Sequence, residues 1–371
     1  MKNFINQQDM KERNAADVFA FVKKRGTATR KEIAEYLSMS WGAVSTITAL
    51  LLEARYLTEH KASEGTVAGR IPAYLSVCED FYYTIGLDIN DTGLRAVAVD
   101  LSDRVIESFS AEAVFRNPES LISCVSDLVR QVISSIHNMQ PICIGAAMQG
   151  IVDADNGVSL RIPGRPNWQN VPLSDILEKE FHVPVFLRHD PDCILYAYAK
   201  RAGVRDAILV RIDHGIGMAA MLGGDMIAKP GIFELGHTVA VPGGIQCGCG
   251  KQGCLDQYSS IRGMKARANM KFSDLAIAAK SGDFEAKKIF SQAARHLALA
   301  ITNSAGLLSV ERVLLCGRLF NFTDLFFEEF LNECAKLSPV NTPSFTLTNV
   351  SDAPLGAAMI AMRSALKKIV I

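Results

Sequence analysis

Apolar residues recur at helical spacing from the start of this 371-residue chain. Between Lys11 and Arg25 they are Ala15, Val18, Phe19 and Val22, and the run stops at Gly26, which predicts a first helix. Thr29 with Glu32 three residues on is a capping box, opening a second short helix whose Ile33, Ala34 and Leu37 face inward. Ser40 caps a third, with Ala43, Val44, Ile47, Leu50 and Leu51 on its apolar side. After Tyr56 two extended runs flank a polar, Gly-containing stretch, the pattern of a hairpin. From Phe81 the period changes to that of strands, punctuated at Asn90-Asp91, Gly93 and Ser102-Asp103. A long helix is expected from Glu119 to His137, then strands in PICIGAAMQGIVD and HVPVFLRHD, the second ending on His189-Asp190. DAILVRIDHGIGMAAMLGGDMI begins a further set, with helices between about Phe272 and Leu308, a strand and turn in VERVLLCGRL, and a helical PLGAAMIAMRSALKKIVI. Strands alternating with helices predict an α/β unit over 81–371, with ligands at strand ends, behind a separate helical unit over 1–80.

Composition changes this picture little. A length of 371 residues with 49% hydrophobic content suits two or three domains with a sizeable core. Net charge is zero, so any nucleic-acid contact has to sit in one segment. Through Arg70 there are eleven Lys/Arg against eight Asp/Glu, a modest local excess. The start, MKNFINQQDMKERN, has neither the apolar stretch nor the cleavage site of a secretory signal, and no apolar run reaches membrane-spanning length. Scattered Cys78, Cys124, Cys143, Cys193, Cys316 and Cys334 suit a reducing compartment, so a cytoplasmic protein with no membrane partner is expected.

The candidate chemistry is concentrated in ELGHTVAVPGGIQCGCGKQGCLDQ, residues 234–257. His237, Cys247, Cys249 and Cys254 offer one imidazole and three thiolates, a full tetrahedral set for a structural zinc. A chance cluster or a disulfide is the alternative, though two cysteines one residue apart are poorly placed to pair with each other. Glu234 and Asp256 flank the set. E-x-G-H followed by C-x-C-G-x-x-G-C-L-[E/D] resembles the signature of the ROK family, which contains sugar kinases and sugar-responsive transcriptional repressors; Asp256 stands where the family usually has Glu.

The resemblance implies a two-lobed, actin-like or RNase H-like fold: lobe one over about 81–195 plus a C-terminal helix at 354–371, lobe two over about 196–353. It also implies that residues 1–80 form a winged helix-turn-helix like that of ROK repressors. The outer face of the third helix would show Trp41, Ser45, Thr46 and Thr48, small hydrogen-bonding groups with one aromatic, suited to base edges. Arg30 and Lys31, with Lys61 and Arg70 around the wing, would meet phosphates. Asp190 matches the catalytic base of ROK sugar kinases. Asp190, Glu234 and His237 match their sugar contacts, to which His189, Asp256 and Asn167 are added, with Trp168 as a stacking face. The kinase phosphate loops are altered: Asn90 and Asp91 replace the glycines of D-x-G-G-T, Asp213-His214-Gly215-Ile216-Gly217-Met218-Ala219 keeps part of the second glycine loop, and Cys316-Gly317-Arg318 stands at the third. The expectation is a DNA-binding regulator, most simply a repressor, that responds to a sugar, binds operator DNA as a homodimer or larger oligomer, and has lost kinase activity. The alternatives are a sugar kinase with an N-terminal extension and a zinc-stabilised scaffold.

Overall fold

Three helices and three short strands open the chain. The computed structural model describes residues 7–61, 73–90, 93–113, 117–162, 165, 167–227, 234–338 and 342–369. Arg70 and the rest of the expected wing tip lie outside the described residues, as do Asp91, Thr92 and the side chain of Lys61. Helix α1 (Gln7–Arg25) starts before the expected Lys11 and ends on Lys23, Lys24 and Arg25, cations that suit the negative end of a helix. Strand β1 (Thr27–Ala28) leads to α2 (Arg30–Leu37), where the expected capping box is formed: Thr29 Oγ1 accepts from the Glu32 N–H and the Thr29 N–H donates to the Glu32 carboxylate. Ser40 caps α3 (Trp41–Glu53) by accepting from the Ala43 N–H at 3.3 Å. Strands β2 (Leu57–Lys61) and β3 (Ala73–Val77) pair antiparallel, and β1 joins the other edge of β3.

Two expectations for α3 are corrected. Its buried line is Val44, Ile47, Thr48 and Leu51, which leaves Leu50 exposed. Thr48, expected on the outer face, is 0% exposed, and its hydroxyl donates to the Val44 carbonyl at 2.8 Å. Positions i, i+3, i+4 and i+7 share one helix face, and Thr48 is i+4 from Val44.

Strands β4 (Tyr82–Asn90), β5 (Gly93–Asp100) and β6 (Val105–Ala111) run as an antiparallel meander. Helix α4 (Pro118–Ser135), shorter at its C-terminal end than expected, returns the chain to β7 (Gln140–Met148), parallel to β4. A small three-stranded excursion follows in β8 (Ile151–Asp153), β9 (Val158–Arg161) and β10 (Gln169–Val171). Helix α5 (Leu173–Phe181) and β11 (Val185–His189) complete a five-stranded sheet of order β11-β7-β4-β5-β6. Helix α6 (Asp190–Ala202) begins directly at the end of β11, and position 195 falls inside it.

A second five-stranded sheet begins with β12 (Ala207–Ile212), β13 (Ile216–Leu222) and β14 (Asp225–Met226). After the cysteine loop come α7 (Asp256–Ser259), α8 (Ile261–Ala268), α9 (Phe272–Lys280) and α10 (Phe284–Leu308). Strand β15 (Arg312–Cys316), α11 (Phe327–Leu337) and β16 (Ser344–Leu347) close the order β14-β13-β12-β15-β16. Phe290, Leu297 and Ile301 of α10 share the core of this sheet with Val210, Ile212 and Val313. Helix α12 (Ala353–Ile369) then lies against the first sheet at backbone contact. A Cβ at Gly86 of β4 would meet the Pro354 carbonyl oxygen at 1.9 Å, and one at Gly145 of β7 would meet that of Ala357 at 2.0 Å, so no other residue type fits there. Ala361, Met362, Ala365 and Leu366 of α12 also enter the buried cluster formed by Val18, Phe19, Val44 and Leu57 of the N-terminal unit.

Candidate functional site

The loop between β14 and α7 brings its four soft ligands together. One ligand atom from each of His237, Cys247, Cys249 and Cys254 lies within 4.8 Å of all the others, an arrangement that could hold a metal ion. Cys247 Sγ is 3.6 Å from His237 Nδ1 and Cys249 Sγ is 3.6 Å from Cys254 Sγ, far beyond a disulfide bond. The fold-back needs Gly253 at φ +76, where a Cβ would meet the Val241 carbonyl oxygen at 1.7 Å. The other ring nitrogen, His237 Nε2, faces Glu234 Oε2 at 3.9 Å, so the imidazole stands between the sulfur cluster and that carboxylate.

A short path leads from Glu234 to Asp190. A Cβ on Gly236 would lie 3.6 Å from Asp256 Cβ, one on Gly215 would lie 3.3 Å from Asp256 Oδ1, and one on Gly217 would lie 3.4 Å from His189 Cε1. His189 Nε2 is 3.4 Å from Asp190 Oδ1. Glu234, His237, Asp256, His189 and Asp190 are therefore neighbours around the β12–β13 turn. Asp256 is buried, and its carboxylate accepts from Arg262. Asn167 is exposed and is not among the residues these contacts link. Trp168, expected as a stacking face, is a correction: it is 3% exposed, packs in the first sheet's core, and donates from Nε1 to Ser159 Oγ at 2.8 Å.

Charged groups missed in the sequence sit beside Asp190. Arg211 on β12 donates from Nε to Asp213 Oδ2 at 2.7 Å and from Nη1 to Asp190 Oδ2 in a short ion pair. Asp213 Oδ1 accepts from both the backbone N–H and Nε of Arg318, each at 2.9 Å. Asp88 Oδ2 accepts from Arg95 and from Asn90 Nδ2, the latter at 2.9 Å. Three carboxylates are thus matched by three guanidinium groups. Burial pushes the Asp190 carboxyl above the usual range, against the pull of Arg211 and His189. Burial also acts to raise Asp213, but Arg211 and the Arg318 N–H outweigh it and hold that carboxyl low. The signal in the sequence was one arginine inside the otherwise apolar AILVRI, a buried charge that needs a partner.

On the N-terminal unit, Trp41 at the first position of α3 is 61% exposed and Thr46 is exposed, with Ser45 half-buried. Lys31 is exposed and loosely paired with Glu35 at 3.8 Å. Arg30, expected to be free for a phosphate, is corrected. Its Nε donates to Thr48 Oγ1 at 3.0 Å and its Nη1 pairs with Glu59, so it ties α2 to α3 and β2.

Residues 84–363 match the ROK family. The DNA-binding transcriptional repressor Mlc of Escherichia coli is 24% identical over 342 residues, covering 86% of this chain and 84% of its own length. The xylose repressor of Caldicellulosiruptor bescii is 22% identical over 387 residues and 96% of each chain. Among solved structures, a ROK family transcriptional regulator described as a homologue of the E. coli Mlc protein superimposes with a TM-score of 0.81 at 19% identity, covering 98% of this chain and 99% of its own. The ROK hexokinase of Thermus thermophilus gives 0.68 at 24% identity and covers 98% of itself but 76% of this chain.

Proposed function

From the premise that the chain belongs to the ROK family, we propose that it is a sugar-responsive, DNA-binding transcriptional repressor, working in the cytoplasm as a homodimer or larger assembly. The observation that carries this reading is the N-terminal unit. The hexokinase, aligned over nearly all its own length, leaves about a quarter of this chain over, whereas the transcriptional regulator spans both. Relatives described as a xylose repressor and a DNA-binding repressor, aligned over most of their lengths, support the same reading.

Residues 1–80 act as a winged helix-turn-helix, with α2 and α3 as the helix pair and β2–β3 as the wing. The exposed start of α3 enters the major groove, Trp41, Ser45 and Thr46 meet base edges, and Lys31 meets a phosphate. Residues 81–371 bind the sugar between a lobe of about 81–195 plus 354–371 and a lobe of about 196–353. The hydroxyls are read by His189, Asp190, Glu234, His237 and Asp256, with Asn167 at the outer edge. His237, Cys247, Cys249 and Cys254 suit a structural zinc: tetrahedral bonds of about 2.3 Å to sulfur put ligand sulfurs about 3.8 Å apart, close to the 3.6 Å between Cys249 and Cys254. Four protein ligands leave no position for a reacting water, so the metal pins the loop that carries Glu234 and Asp256.

Phosphoryl transfer is not part of this reading. Donors able to grip a phosphate are already given to the chain's own carboxylates, among them the Arg318 N–H on Asp213. Asp190 pairs with Arg211, and taking a substrate proton would cost that largely buried arginine one of its two carboxylate partners. The test is selection of binding sites from a random DNA pool by the full chain, run beside an ADP-release assay over a hexose panel. A pseudo-palindromic motif should be enriched, Thr46→Ala should change it, and Lys31→Ala should weaken all sequences alike. No enriched motif, together with steady ADP release abolished by Asp190→Asn, would replace this reading with the kinase one.

A further inference from the structure

Arg211 is a largely buried cation whose partners belong to both sheets. Its side chain is 12% exposed and that of Asp190 is 6% exposed. Asp190 follows immediately on the end of β11 in the first sheet, and Arg211 lies on β12, the central strand of the second. Their ion pair therefore crosses from one sheet to the other. Asp213, on Arg211's own side, holds the guanidinium through Nε and is itself fixed by Arg318 after β15. A second, weaker crossing runs parallel to it, from Arg95 Nη2 on β5 to the Val350 carbonyl after β16 at 2.9 Å. Among the described residues the sheets are also joined through helices α6 and α12, which pack by small apolar residues such as Ala197, Ala353 and Ala357, and by the more exposed pairs of Arg363 on α12 with Asp225 on β14 and of Arg201 on α6 with Asp352.

We propose that Arg211 is a latch: its pairing with Asp190 fixes the spacing of the two sheets in the ligand-free protein, and a bound sugar competes with it for the same carboxylate. The competition rests on reading Asp190 as a sugar contact; the latch does not. Asp190 Oδ2, taken by Arg211, and Oδ1, facing His189, are the two acceptors a pair of sugar hydroxyls would use. A hydroxyl that takes Oδ2 loosens Arg211 and with it the crossing, so occupancy becomes a change in the relative position of the sheets. The size of the response is bounded by the ligand's preference for one spacing over the other.

The latch is tested by amide hydrogen exchange on the full chain carrying Asp190→Asn with Arg211→Met. Removing both charges leaves no buried charge unpaired, so the variant should still fold. Amides in 186–196 and 208–216 should exchange about tenfold faster than in the wild type, while those of α10 stay unchanged. Exchange within twofold of wild type in both segments would overturn the latch. So would loss of cooperative melting, because the pair would then be a requirement of folding. The competition is read separately, by titrating glucose, xylose and N-acetylglucosamine into wild type and Arg211→Met. Tighter binding by the variant, about fivefold or more for one of the three, is expected. Equal affinity, or binding by neither protein, would remove the competition and the sugar reading of Asp190 while leaving the exchange result to decide the latch.

Discussion

Asp192 lies in the first turn of α6, buried, and loss of water pushes its carboxyl up to about 6 from an ordinary 3.8, with His189 and Arg188 opposing and Asp190 adding to the rise. The folded chain holds this proton more tightly than the unfolded chain. The resulting stabilisation is complete below about pH 4 and is lost as pH rises through about 6. At 1.36 kcal/mol per unit, the amount at stake is about 2 to 3 kcal/mol. Asp192→Asn should therefore melt above wild type at pH 8, with the difference closing at pH 4; urea unfolding at the two pH values checks it, and a pH-independent difference would contradict it. At this scale the sequence is legible where residue types declare their chemistry locally. The spacing of His237, Cys247, Cys249 and Cys254 needed no fold to be read. The partners of Arg211, Arg95 and Arg318 were not legible, because they are set by strand order. Thr48 and Arg30 were misread for a related reason: both looked like surface groups until α2, α3 and β2 met and they bonded to one another.

Among the elements, those with local signals came out closest to expectation. The Thr29–Glu32 box and the Ser40 cap place α2 and α3, and Asp190 heads α6 directly after β11. The excursion β8–β10 and the contact of α12 with Gly86 and Gly145 had no such signal, since they depend on what packs across from them. The cysteine loop is the element that carries the four candidate metal ligands. Among its described residues, regular structure is limited to the 3₁₀ turn at Leu235–His237 and isolated bridges, Val239 with Cys254 and Gln246 with Gln252; turn hydrogen bonds such as Ala240 N–H to the Gly253 carbonyl and Cys247 N–H to the Lys251 carbonyl, each at 2.8 Å, complete the fold-back. Protein purified without chelator should carry about one zinc per chain. Cys249→Ser should lose it and expose the loop to proteolysis, whereas Cys124→Ser on α4 should keep it; elemental analysis of the three proteins decides. Full zinc content in Cys249→Ser would show that the four residues are not the ligand set.

Across the whole molecule, the N-terminal unit is not a bead on a string. Its core is continuous with α12 through Val18, Phe19, Leu57, Ala361 and Met362. Tyr56 stacks on Tyr82 at 5.2 Å, and Lys23 reaches Asp103 in the β5–β6 turn at 2.7 Å. Helix α12 in turn lies on β4 and β7 and against α6, whose first residue is Asp190. A shift between the sheets therefore has a packed route to α3. Two copies joined through their C-terminal parts would convert that shift into a change in the separation of two recognition helices, and so in their fit to one DNA site. The most direct test is fluorescence anisotropy of the selected DNA site with the full chain, with and without saturating glucose, xylose or N-acetylglucosamine. The account predicts that at least one of the three weakens DNA affinity tenfold or more, by about 1.4 kcal/mol, and that Asp190→Ala, which removes both the sugar contact and the latch, binds DNA at the weakened level with or without sugar. DNA affinity unchanged by any of the three sugars, or an Asp190→Ala protein that responds as the wild type does, would contradict it.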